Sequence, residues 1–115
     1  MSPAAFNLQH KVVLDAILLR MPGVVAGTMF GYPAYYINKK LFVCLYEEGI
    51  GIKVPEQVAD SLVGKKGIIR FQPKGRRPMK EWIQINHERS EDYRKDEEIL
   101  KISLEYVALS SKAKR

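Results

Sequence analysis

The chain has 115 residues, one cysteine and a formal net charge of +6. That length fits one domain and buries roughly 65% of the unfolded surface, enough for a single core without covalent staples. Apolar residues at 46% and charged residues at 28% exclude a wholly disordered chain. The lone Cys44 excludes an intrachain disulfide and a cysteine-built zinc site.

No targeting segment is visible. The first seven residues lack a basic region, and Asp15 and Arg20 interrupt the apolar stretch that follows, so neither a signal peptide nor a membrane span is expected. The expectation is a cytoplasmic protein that does not engage a membrane, with its thiol reduced.

A first helix is predicted over residues 7–21. Leu8, Val12, Val13, Ala16 and Ile17 recur at helical spacing and form its expected inner face, with Asn7 as N-cap and Pro22-Gly23 as the stop. The texture then turns β-branched and aromatic, predicting strands at residues 24–30, 34–37, 41–46 and 49–54. Asn38-Lys39 reads as a tight hairpin turn, and Glu47-Glu48-Gly49 as a longer one with Gly49 left-handed. Links this short force antiparallel neighbours. Leu41, Val43 and Leu45 alternate with Phe42, Cys44 and Tyr46, which marks a central strand covered on both faces. Pro55 opens a short helix to residue 63, with Gly64 as its cap. Strands follow at residues 67–72 and 81–86, Ile83 and Ile85 facing one way and Trp82 and Gln84 the other. A last helix begins within residues 90–96 and runs to 109, its acidic start suiting the helix dipole. The whole is one domain, residues 1–115, with its core at about 7–109 and a flexible basic tail at 110–115. Its class is α+β in the order α-β(4)-α-β(2)-α, with one antiparallel sheet and the helices packed on one face.

Three stretches, Gly27-Thr28-Met29-Phe30-Gly31, Ala34-Tyr35-Tyr36-Ile37 with residues 41–46, and above all Arg77-Pro78-Met79-Lys80-Glu81-Trp82-Ile83, resemble the TfoX N-terminal domain family. The resemblance spans residues 16–109. It implies an α+β fold akin to secretion chaperones, carries over no catalytic residues, and suggests a regulatory role. In TfoX proteins a second, C-terminal domain follows; with Arg115 as the last residue, a stand-alone domain is the expectation here.

No catalytic constellation emerges. His10, His87 and Cys44 show no spacing that would join them as a nucleophile pair. Glu47-Glu48 suits a solvated hairpin tip, and the acids of residues 91–98 suit a helix start rather than a cation loop. No dinucleotide loop or ligand set can be assembled, so a non-enzymatic protein without metal or cofactor is expected. Two features rise above this. The first is a basic run of Lys65, Lys66, Arg70, Lys74, Arg76, Arg77 and Lys80, which contains no acid and holds the whole of the net charge. Its hairpin residues Lys74, Arg76, Arg77 and Lys80 suit phosphates. Phe71 and Trp82 beside it are either base-stacking platforms or packed residues, Phe71 in the core and Trp82 at the sheet edge. The second is an aromatic sheet face: strict alternation places Tyr36, Phe42 and Tyr46 opposite Tyr35 and Ile37, as a surface for a homo-oligomer or another protein. A regulatory protein-interaction module and a nucleic-acid-binding accessory protein are therefore the two functional expectations.

Overall fold

A computed structural model describes residues 5–73 and 75–113. Its elements are α1 (Leu8–Leu18), β1 (Val24–Met29), β2 (Tyr32–Ile37), β3 (Lys40–Tyr46), β4 (Gly49–Lys53), α2 (Glu56–Leu62), β5 (Ile68–Arg70), β6 (Trp82–Ile85), a 3-10 segment (Ser90–Asp96) and α3 (Glu97–Ala113). This is the predicted α+β order. The strands form one six-stranded sheet in the order β1-β2-β3-β4-β6-β5, antiparallel throughout. Among the described residues no helix is long and apolar enough to cross a membrane.

Local chemistry explains the boundaries. The Asn7 side chain accepts hydrogen bonds from the amides of Gln9 (2.8 Å) and His10 (3.2 Å), capping two of the free N–H groups of α1. Asn38 (φ 53) and Lys39 (φ 66) make the left-handed pair of a tight hairpin, as predicted; Phe30 (φ 51) and Gly31 (φ 88) make a second, ending β1 one residue early. In the third hairpin the left-handed residue is Glu47 (φ 52), not Gly49, which already belongs to β4. Gly49 is glycine for another reason: a Cβ there would stand 1.9 Å from Asn86 Oδ1. The last helix continues to Ala113, four residues beyond its expected end, into part of the stretch expected as a flexible tail; residues 114–115 lie outside the described residues.

The three helices cover one face of the sheet. Val13, Leu14, Leu18, Phe42, Ile50, Ile52, Ile83 and Leu100 sit in one continuous core there. Two expectations fail on this face. Phe42 does not alternate with Val43: it is fully buried on the helix side together with it. The cause is a β-bulge. Tyr35 pairs with Val43, but Tyr36 pairs with Leu41, so Phe42 is the extra residue and parity reverses beyond it. Leu41 consequently lands with Tyr36 on the other face. The carbonyl of the bulged Phe42 accepts the buried Ser103 hydroxyl of α3 at 3.2 Å, which explains a serine at the centre of that helix's inner face.

The second failure is the orientation of α1. Its inner residues are His10, Val13, Leu14, Ile17 and Leu18. Leu8 and Val12, expected inside, are 62% and 58% exposed, and Ala16 is exposed too. The helix is apolar on two sides, so periodicity alone permits both orientations. The polar partners waiting for His10 decide between them.

Candidate functional site

His10 is one of two histidines brought together by Tyr93. Its ring and that of His87 each approach Tyr93 edge-on at 4.7 Å. His10 Nε2 faces the Glu48 carbonyl at 3.1 Å and must therefore carry the proton and donate. Nδ1 then accepts the Ser90 hydroxyl at 2.6 Å. Burial, ahead of any other influence, lowers the His10 pKa. His87 Nε2 meets Asp96 Oδ2 at 2.8 Å, and Tyr93 donates to the Ile85 carbonyl at 2.9 Å. Burial raises the Asp96 carboxyl, with His87 opposing the shift. Sequence reading did not find this cluster, because eighty residues separate His10 from Ser90 and no local pattern joins them. Among the described residues none of its buried side-chain polar atoms lacks a hydrogen-bond partner, and what the cluster does is fasten α1 to the 3-10 segment. Cys44 is elsewhere, fully buried on the opposite face of the sheet, its thiol pushed up to about 12 by burial. Among the described residues no group of three or more His, Cys, Asp or Glu side chains could hold a metal ion.

That opposite face is covered in part by the chain itself. Ala34, Cys44, Tyr46, Phe71 and Trp82 are buried there in a second cluster. The rings run in a row: Tyr32 to Tyr46 at 4.9 Å, Tyr46 to Phe71 at 5.2 Å, and Phe71 to Trp82 at 5.7 Å. Phe71 lies across β4 at Gly51, where a Cβ would press on its ring at 3.1 Å and on Cys44 Sγ at 3.2 Å, so glycine gives the ring its room. The β5–β6 loop folds back over this layer, with the Met79 amide donating to the Phe71 carbonyl at 3.0 Å.

Of the three residues expected on an aromatic contact face, the structure keeps two. Tyr36 is half-buried, its ring over Gly27 and its hydroxyl donating to the Thr28 carbonyl at 2.7 Å. Tyr46 is buried at 7% exposure, between Tyr32 and Phe71. Phe42 is on the helix side, as the bulge dictates. Phe71 and Trp82, at 2% and 7% exposure, offer no open ring for a base to stack on. Between the β1–β2 hairpin tip and the β5–β6 loop a groove of about 420 Å³ remains, with Phe30, Tyr32, Leu41, Trp82, Met79 and Arg76 in its lining.

The basic loop is also placed. Arg76, Arg77 and Lys80 are exposed, and among the described residues none of them forms an ion pair; Lys74 lies outside the described residues. Arg70, by contrast, is spent on structure, holding Asp60 Oδ1 at 2.7 Å and the Lys80 carbonyl at 2.8 Å.

A surface that sequence reading placed indoors completes the inventory. Leu8, Val12 and Leu19 are 62%, 58% and 44% exposed. With Ala16 they follow a 4-4-3 spacing, about 180° around the helix from His10, Val13, Leu14 and Ile17 at roughly 100° per residue. The Lys11–Asp15 ion pair (2.8 Å) flanks this stripe. Compared with known proteins, the chain matches no family model, no curated protein and no solved structure.

Proposed function

We propose that this protein is a non-enzymatic, cytoplasmic regulatory or protein-interaction module of the TfoX N-terminal-like kind, and that two copies associate through the outer face of α1. The observation that carries the reading is the solvent-facing stripe of Leu8, Val12 and Leu19 on a helix whose other side is already in the core. A helix apolar on both sides is normally covered on both. A second copy fits because the stripe is self-complementary. Antiparallel packing about a two-fold axis near residue 14 sets Leu8 against the partner helix's Leu19 and Val12 against its Ala16. The same axis brings Lys11 of each copy beside Asp15 of the other, so unlike charges meet. An 11-residue helix buries less than the roughly 1,200 Å² of a standard interface, so association in the micromolar range is expected.

Sedimentation velocity from 5 to 500 μM tests this. The unaltered chain is expected to shift from monomer to dimer, and Val12→Lys to stay monomeric with an unchanged circular dichroism spectrum. Tyr36→Glu, on the opposite face of the sheet, is expected to leave association unaltered. A chain that stays monomeric throughout that range sinks the proposal.

A second reading, a nucleic-acid-binding accessory protein, is favoured by Arg76, Arg77 and Lys80 on the β5–β6 loop, which are exposed and form no ion pair among the described residues. With Phe71 and Trp82 buried, the contacts would be to phosphates and hence salt-sensitive and weakly sequence-selective. Converting Arg76 and Arg77 to glutamine should flatten the slope of log affinity against log salt by about 2. No retention of duplex or single-stranded DNA at low salt removes this reading and leaves the first intact.

A further inference from the structure

The groove on the second sheet face has a composition that a solvated crevice does not need. Its floor is Leu41, Tyr46, Phe71 and Trp82, one wall is the β1–β2 hairpin tip, and the other is the β5–β6 loop. Among the described residues no acid lines it, the one lining cation is Arg76, and its guanidinium has no carboxylate partner. At about 420 Å³ it falls in the range of small-molecule sites. At its mouth stands Phe30, 85% exposed and held at φ 51, a left-handed conformation that bulky side chains avoid. The hairpin turn thus holds an exposed aromatic ring beside an apolar crevice.

We infer that this groove binds a small amphipathic carboxylate: an apolar body of about eight carbons on the aromatic floor, with its carboxylate on Arg76. The charge sets the class. A planar guanidinium grips a carboxylate through two parallel hydrogen bonds, and Arg77 and Lys80 on the same loop reinforce the preference for an anion. A neutral molecule would leave Arg76 as it is, and a cation would meet repulsion. The lining sets the rest, because aliphatic chains and rings gain from leaving water against the exposed and half-buried side chains of Phe30, Tyr32, Leu41 and Met79 whatever their detailed shape. The groove lies across the sheet from α1, so it stands or falls separately from the self-association described above.

Trp82 is the only tryptophan and lines the groove, so its emission reports occupancy directly. The test titrates the protein with octanoate, and separately with octan-1-ol as the neutral counterpart. Octanoate is expected to give a saturable change in Trp82 emission at about tenfold lower concentration than octanol, the size of one charge-assisted pair. Arg76→Gln should bring octanoate down to the level of octanol while leaving octanol unchanged. Phe30→Gly should weaken both several-fold, and it suits the left-handed turn, so loss of folding does not confound it. Equal binding of octanoate and octanol, an octanoate response indifferent to Arg76→Gln, or no saturable response overturns the inference.

Discussion

α1 and α3 pack against the same face of the sheet, but they treat water differently. α3 turns Leu100, Ser103 and Val107 inward and shows Glu98, Lys101 and Glu105 outward. α1 turns Leu14, Ile17 and Leu18 inward and shows Leu8, Val12 and Leu19 outward. Both bury a comparable inner stripe, so folding alone accounts for the inner faces. On the outer face of α3 the exposed large apolar residue is Leu109, near its end, whereas α1 and its C-cap carry Leu8, Val12 and Leu19 along the whole length. An apolar outer stripe adds nothing to the core of a monomer, and it is this stripe on which the proposed self-association rests.

The largest expected effect comes from the shared inner face. Leu100→Ala, which empties a fully buried site of α3, should cost about 2–5 kcal/mol in urea unfolding. Val12→Ala on the outer face of α1 should cost no more than about 0.5 kcal/mol at dilute concentration. Similar losses at the two positions would erase the contrast between the helices.

Ser103→Ala comes next. It leaves the bulged Phe42 carbonyl buried without its donor, at about 1–3 kcal/mol. An unchanged midpoint would mean that the bulge needs no side-chain support.

A third difference depends on pH, because α1 is fastened through the buried ionisable ring of His10. The folded-state His10 pKa lies below the ordinary 6.5, so the unfolded chain binds the extra proton first. The stability that neutral His10 contributes is therefore complete above pH 6.5 and lost as pH falls from there toward the folded value. Asp96 acts in the opposite sense at lower pH: its raised pKa gives the folded state the greater proton affinity, so acidification through that range relieves a penalty. Melting temperature should fall between pH 7.5 and pH 5.5, and fall less in His10→Gln. Parallel profiles for the two proteins would show that His10 does not couple α1 to pH.

Much of the fold was legible because its signals are local. Turn residues such as Asn38-Lys39, β-branched runs and the acidic start of the last helix fix element order without knowledge of the rest. What was hidden was non-local. A bulge at Phe42 is invisible to a count of alternation, since it depends on how Tyr35 and Tyr36 pair with a neighbouring strand. The face of α1 was misread because His10, polar in sequence, is buried by a serine eighty residues away, while Leu8 and Val12 are not buried at all. The basic loop was legible as a loop, but the groove beneath it was not, since it is lined by residues of β1, β2, β3, β6 and two loops that only the folded sheet brings together.

The central claim, that the outer face of α1 is a contact surface for a second copy, is tested most directly by a dilution series in NMR. Methyl and amide resonances are followed from about 1 mM to 20 μM. Concentration-dependent shifts are expected at Leu8, Val12, Ala16 and Leu19, with Glu98, Lys101 and Glu105 on the outer face of α3 silent. Shifts confined to the second sheet face around Tyr36, or none at any residue, would contradict it.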